Sequence, residues 1–193
     1  MHRTAALAMA AALLAAGGAR ADDCAKVMEA GLKSLRVPSK TTTVTTGFNV
    51  MPLTAVVITV GGKKYSIRTN RGWITTHYDQ TGAEELYRRS FAGDANICTP
   101  DGTETIGGDM TDVFNSNYRN GDGSRVHERI WISEATGLPV REQASIIGGL
   151  NLTMTTTMEY NDIRPPEGLP TSPPDTEFPA DGPDSSAQTP PRH

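Results

Sequence analysis

The hydrophobic pattern at the start of the chain has the period of an α-helix. In residues 22–38 the apolar positions recur every three to four residues, whereas Lys26, Glu29 and Lys33 fall on the other side. Asp22 or Asp23 can cap the start of this helix, and Pro38 ends it. The apolar stripe consists of Cys24, Val27, Met28, Gly31, Leu32 and Leu35. We therefore predict an amphipathic N-terminal helix.

Most of the remaining chain alternates between apolar and polar residues, which is the period of β-strands. The most hydrophobic run, at 53–60, is followed by Gly61-Gly62 and a second strand-like run, which predicts a hairpin with a two-residue loop. The clearest alternation is at 150–160, where Leu, Met and Tyr share one face and Thr, Asn and Glu share the other. These runs predict an antiparallel meander of about eight strands.

Two segments interrupt the strand pattern. Residues 81–91 predict a short helix in which Thr81 and Glu84 have capping-box spacing. Its expected buried side consists of Leu86, Tyr87 and Phe91. Residues 104–120 fit both a helix and a long strand, and we favour a strand with a bulge or bend at Gly107-Gly108.

The two ends of the chain have unusual compositions. Residues 1–21 have the layout of a secretory signal peptide, with a positive start, an apolar run too short to span a bilayer, and a small-x-small cleavage site at 19–21. Residues 164–193 hold nine of the 13 prolines and are acidic, so we predict a disordered tail. One globular domain remains, at 22–163.

Export determines how charge and cysteines are interpreted. Loss of Arg3 and Arg20 leaves 16 basic against 22 acidic residues, a net charge of −6, which disfavours nucleic-acid binding. The mature chain has no predicted transmembrane segment. Its only two cysteines, Cys24 and Cys98, are expected to form one structural disulfide in an oxidising compartment, rather than a redox or metal pair, since no CxxC occurs.

The chain contains no recognisable catalytic or metal-binding motif. GxSxG, HExxH and a Walker loop do not occur, and the lone His77 and His127 in predicted strands are typical of surface histidines. Asp109 and Asp112 do not have EF-hand spacing. We therefore expect no enzymatic activity, no metal site and no cofactor.

Residues 129–143, RIWISEATGLPVREQ, resemble the lipoprotein-carrier superfamily, which includes LolA-type carriers and RseB-type envelope sensors. The resemblance rests on a strand ending in Trp-Ile, a Thr-Gly-Leu-Pro turn and a strand beginning Val-Arg. It is strong over about 125–166, ending in YNDIRPP, and extends elsewhere to the order of the elements. It is greatest with small secreted members that have two cysteines.

The resemblance implies an α+β fold: a strongly curved, unclosed antiparallel half-barrel with the N-terminal helix and the short inserted helix on its concave side. In the carriers this space takes acyl chains, and in the sensors it receives lipid or a misfolded envelope protein. The implied function is a periplasmic, or secreted, binding or envelope-maintenance protein whose partner is a lipid, a lipoprotein acyl chain or an envelope protein. The alternatives are a structural or interaction module acting through its surface or its Pro-rich tail and, less favoured, a hydrolase.

Candidate ligand-binding residues follow from the apolar faces of the predicted strands. In the last strand we expect Leu152, Met154 and Met158 to point into the curve of the sheet and the intervening threonines to point to solvent. The full candidate set is Val44, Phe48, Ile130, Leu152, Met154, Met158 and Tyr160. The alternative for each of them is simple packing against the N-terminal helix.

Overall fold

The computed structural model describes residues 19–47, 50–68, 72–91, 97–119, 123–147, 151–167 and 169. The helices are α1 (Ala19–Ser34) and α2 (Gln80–Phe91), and α2 lies between the fourth and fifth strands. The strands are β1 (Ser39–Gly47), β2 (Val50–Val60), β3 (Lys63–Arg68), β4 (Ile74–His77), β5 (Ile97–Ile106), β6 (Asp109–Arg119), β7 (Arg125–Ser133), β8 (Pro139–Ile147) and β9 (Leu152–Glu159).

The predicted signal peptide and tail fall mostly outside the described residues. Residues 19–21, the predicted cleavage site, form the first turn of α1, and residues 1–18 are not described. Of the tail, only 164–167 and 169 are described. Neither helix in the described ranges is long and apolar enough to cross a membrane.

All nine strands form a single antiparallel sheet in the order β4-β3-β2-β1-β9-β8-β7-β6-β5. Within the described residues β4 and β5 do not pair with one another, so the sheet stays open, as expected for an unclosed half-barrel. The ninth strand was not predicted. Gly107 and Gly108 do not mark a bulge in one long strand; both have positive φ and form the turn between β5 and β6.

Helix α1 packs on the sheet beside β5 to β8. Val27 and Ala30 form a buried cluster with Phe114, Ile130 and Ile132. We call the face of the sheet that carries this cluster the concave face and the opposite one the convex face. The predicted disulfide joins Cys24 of α1 to Cys98 of β5, so the helix is covalently attached to the edge of the sheet that it covers.

The turn between β7 and β8 holds the other end of α1. The Lys33 ammonium donates a hydrogen bond to the Thr136 carbonyl at 2.6 Å, and the Tyr160 hydroxyl donates to the Pro139 carbonyl at 2.7 Å. The turn itself is closed by a hydrogen bond of 2.9 Å from the Ser133 amide to the Leu138 carbonyl. The Thr-Gly-Leu-Pro sequence therefore supports both the N-terminal helix and the end of the last strand.

Trp131, the first residue of the recognisable hairpin motif, stiffens the convex face. Its indole N–H donates to the Glu104 carboxylate at 2.8 Å. The guanidinium carbons of Arg129 and Arg141 lie 4.9 and 5.0 Å from the ring centroid, within cation–π range. Arg129 also forms ion pairs with Asp101 and Glu104. These contacts link β5, β7 and β8 across their outer surface.

Helix α2 is capped differently from the prediction. The Asp79 carboxylate accepts a hydrogen bond of 3.0 Å from the Gly82 amide, so Asp79 is the N-cap in place of Thr81. Glu84, the expected partner in a capping box, instead accepts two hydrogen bonds from Arg36, which lower its pKa to about 2. Leu86 was also misassigned, because its side chain is 68% exposed.

Candidate functional site

Two adjoining cavities lie on the concave face beside β6 to β9. The inner cavity, of about 160 Å³, lies under α2, and the outer cavity, of about 170 Å³, lies further along β8 and β9. The inner cavity is lined by Tyr87, Ser90, Phe91, Ser116, Tyr118, Glu128, Ile130 and Glu142. The outer cavity is lined by Tyr118, Val126, Glu128, Glu142, Ala144, Ile146, Met154 and Thr156. The two cavities meet at the three residues that they share.

The pairing of the strands explains why these residues meet. Residues directly opposite one another in an antiparallel pair project from the same face. Ser116 pairs with Glu128, and Glu128 pairs with Ala144. Ala144 in turn pairs with Met154. A continuous row of side chains therefore crosses the concave face from β6 to β9, polar at one end and apolar at the other.

Two carboxylates occupy the boundary between the cavities. Burial raises the pKa of Glu142 to about 7, and the neighbouring charge of Glu128 adds to the rise. Burial also raises the pKa of Glu128. Within the described part of the chain neither carboxylate takes part in a hydrogen bond or an ion pair, so no described residue compensates their partial desolvation.

Hydroxyl groups surround these acids. Ser116 is only 2% exposed, yet its hydroxyl has no hydrogen-bond partner among the described residues. Burial raises the pKa of Tyr118 to about 12, and it raises that of Tyr87 as well. Both phenols therefore stay protonated in the physiological range and present O–H donors to the site.

The structure separates the predicted ligand-binding residues into three groups. Ile130 lines the inner cavity and Met154 lines the outer one. Leu152, Met158 and Tyr160 follow the parity of Met154 along β9 and beyond its end, so they project from the same face without lining either cavity.

Val44 lies elsewhere, and Phe48 lies outside the described residues. Val44 pairs with Thr155, and Thr155 is one position out of phase with Met154. Val44 therefore projects from the convex face, where it is 37% exposed. Parity along a strand alone does not determine which of its two faces is concave.

Sequence reasoning missed Ser116, Glu128 and Glu142. A signal for the two acids was present: Glu128 shares its parity in β7 with Val126 and Ile130, and Glu142 shares its parity in β8 with Ala144 and Ile146. A single carboxylate that interrupts an apolar face is a candidate for a buried polar site. The described residues hold no group of three or more His, Cys, Asp or Glu that could bind a metal ion.

No family model and no curated protein sequence matches the chain. Among solved structures, MucB matches with a TM-score of 0.50 and 13% identity over 75% of this chain and 61% of MucB. MucB in complex with MucA(peri) gives the same TM-score and identity over 76% of this chain and 58% of the other. This chain thus spans about three-fifths of MucB.

Two further structures match with lower TM-scores. The Mycobacterium tuberculosis lipoprotein LppX gives 0.48 at 13% identity, over 75% of this chain and 98% of LppX. A LolA superfamily protein from Nitrosomonas europaea gives 0.30 at 9% identity, over 71% of this chain and 91% of the other. At such identities the likeness to MucB concerns the fold alone. The fold expected from the hairpin motif, an unclosed antiparallel half-barrel with α1 on its concave face, is confirmed.

Proposed function

We propose that this protein is exported and binds a hydrophobic ligand, a single acyl chain, on the concave face without catalysing a reaction. The observation that carries the proposal is the outer cavity. The described residues of its lining, which include Ala144, Ile146 and Met154, all belong to strands. The concave face is therefore filled by α1 at one end and open at the other.

The size of the site favours one chain over a two-chain lipid. The combined volume of the two cavities reaches only the lower end of the range of roughly 300–1,000 Å³ that is common for small-molecule sites. Met154 and the partly buried Met158 supply flexible apolar side chains that adapt to chains of different length. The site therefore suits part of one extended chain, with the remainder lying along β9.

The chemistry of the two acids supports binding rather than hydrolysis. A carboxylate pair that cleaves a bond needs one member that stays ionised through hydrogen bonds and another that is protonated. Here burial raises the pKa of both Glu128 and Glu142. Neither of them accepts a hydrogen bond from a described residue. The carboxylate beside Ser116, that of Glu128, accepts no hydrogen bond from the Ser116 hydroxyl, as a base that activates a nucleophile would.

Displacement of a fluorescent acyl-chain probe tests the proposal. Met154→Ala removes apolar contact from the outer cavity and is expected to weaken probe binding about tenfold. Thr155→Ala, the neighbouring residue on the convex face, is the matched control and should bind the probe normally. Equal binding by both variants and the parent protein, or absence of binding to the parent protein, contradicts the proposal. Native mass spectrometry of the purified protein should also detect a co-purifying lipid.

The second candidate function is an interaction module that acts through its surface or its Pro-rich tail. Two observations favour it: the similar MucB fold is known in complex with MucA(peri), and nine prolines lie in 164–193. Deletion of residues 170–193 separates the two functions. An acyl-chain binder keeps its affinity for the probe after the deletion, whereas a module that docks through its tail loses its protein partner.

A further inference from the structure

We infer that the ligand of the concave face carries a positively charged amine, held between Glu128 and Glu142, with its apolar chain in the outer cavity. The inference rests on the proposed function and adds the chemical class of the ligand to it. It depends on the charge, the hydrogen bonding and the layout of the two cavities.

The charge of the site has one sign. Glu128 and Glu142 line both cavities, and the described residues that line either one include no Lys, Arg or His. At pH values where both acids are ionised, a fatty-acid carboxylate placed there meets two like charges in a partly desolvated site, which is unfavourable. An ammonium group supplies the missing countercharge, so the site discriminates between amphiphiles by the charge of their head groups.

The hydrogen bonding of the site is incomplete without a donor from outside. Ser116 and Glu128 are paired across β6 and β7, so their side chains lie side by side on the concave face. Ser116 as a residue is 2% exposed and lines the inner cavity, and its hydroxyl has no partner among the described residues. Buried polar groups are normally paired. An ammonium group has three donors and no acceptor, which matches two carboxylates and one hydroxyl oxygen.

The layout orients the ligand. The acids lie where the inner and outer cavities meet, and Ala144, Ile146 and Met154 extend from them along β8 and β9. The phenol of Tyr87, on α2, lines the inner cavity only, and that of Tyr118 lines both cavities. An amphiphile therefore enters with its amine towards α2 and leaves its chain on the open strands.

A matched set of probes tests the inference on the full chain. Dodecylamine, dodecanol and dodecanoate share one chain length and differ in head-group charge. We expect dodecylamine to displace the fluorescent probe at concentrations at least tenfold lower than dodecanol, with dodecanoate the weakest. In Glu142→Gln the preference for dodecylamine over dodecanol should fall below about threefold.

The controls separate this inference from the proposed function. Glu134→Gln makes the same charge change at the exposed turn after β7 and should leave the amine preference intact. Glu128→Gln provides a second test at the site. Equal affinity for the three probes, tighter binding of dodecanoate, or an amine preference that survives in both Glu128→Gln and Glu142→Gln overturns the amine and leaves the acyl-chain function standing. If none of the three probes binds, the proposed function itself fails.

Discussion

The two halves of the sheet are built from similar strands but are covered very differently. The anchored half consists of β5 to β8. It is held by the disulfide, by packing against α1 and by the contacts of Trp131. In the open half, β9 and β1 to β4, no residue of β1, β4 or β9 is fully buried, although every residue of these three strands is described. The same antiparallel sheet thus provides a fixed platform at one end and an accessible surface at the other.

The comparison shows that hydrophobicity of a strand does not determine its burial. Residues 53–60 are the most hydrophobic strand, yet only Ile58 among them is fully buried and Leu53 is 40% exposed. In the anchored half, by contrast, β7 contains four consecutive buried residues, 130–133, although the strand also contains Arg125, His127 and Glu128. Coverage decides burial: α1 covers Ile130 and Ile132 on the concave face, whereas Arg129 and Arg141 cover Trp131 on the convex face.

The largest expected effect concerns the disulfide that anchors α1. Replacing Cys24 and Cys98 together by Ser opens a loop with a sequence separation of 74 and should cost about 4.5 kcal/mol of unfolding free energy in the chain-entropy model. Urea denaturation measures the loss. Amide hydrogen exchange should increase more in β6 and β7 than in β1 and β2. A loss below about 1 kcal/mol, or equal increases in exchange in both halves, removes the distinction between them.

A pair of truncations compares the two halves directly. Ile132→Ala in the anchored half, where the side chain is 2% exposed, should cost about 2–5 kcal/mol, as buried large-to-small changes do. Met154→Ala in the open half should cost less than about 1.5 kcal/mol, because the partly buried side chain already borders a cavity. Chemical denaturation of both variants measures the two losses of unfolding free energy. A larger cost for Met154→Ala means that the concave face is a packed core at both ends.

A third effect concerns Glu142 and depends on pH. Its pKa is about 7 in the folded protein against an ordinary value of 4.5, so the folded state keeps a proton that the unfolded state loses. Stability should therefore fall as pH rises from about 4.5 to about 7, by up to about 3 kcal/mol, and then stay level.

Glu142→Gln removes this dependence because its side chain has no charge to desolvate. The variant should be more stable than the parent protein at pH 8 and close to it at pH 4.5, as measured by urea denaturation at both values. Glu134→Gln, on the exposed turn, should follow the parent protein at both pH values. A Glu142→Gln variant that is less stable at pH 8 shows that the carboxylate is well solvated or paired in solution.

The features predicted correctly from the sequence are those that local rules determine. Helix α1 follows from the spacing of its apolar residues, and the Gly61-Gly62 turn follows from its need for positive φ at two successive positions. The disulfide follows from a count of two cysteines in an exported chain. The fold follows from the hairpin motif, whose turn and Trp131 contacts hold α1 and three strands in place.

The features that sequence reasoning missed depend on which strands become neighbours. Asp79 is the N-cap of α2 because it accepts a hydrogen bond from the Gly82 amide, whereas Glu84 accepts a hydrogen bond from Arg36, which is distant in sequence. Glu128 and Glu142 form one site only because β7 and β8 pair in a particular register. The face assigned to Val44 needed the pairing of β1 with β9, which are far apart in the chain. Registers between distant strands are not encoded in local periodicity.

The contact between Gly31 and Tyr87 ties the ligand site to the crossing of the helices. Gly31 has no side chain, and a methyl group there would overlap the phenol ring of Tyr87. The same ring lines the inner cavity. The distance between α1 and α2 is therefore linked, through Tyr87, to the room that the inner cavity offers to a head group. The absence of a side chain at Gly31 allows the two helices to approach this closely.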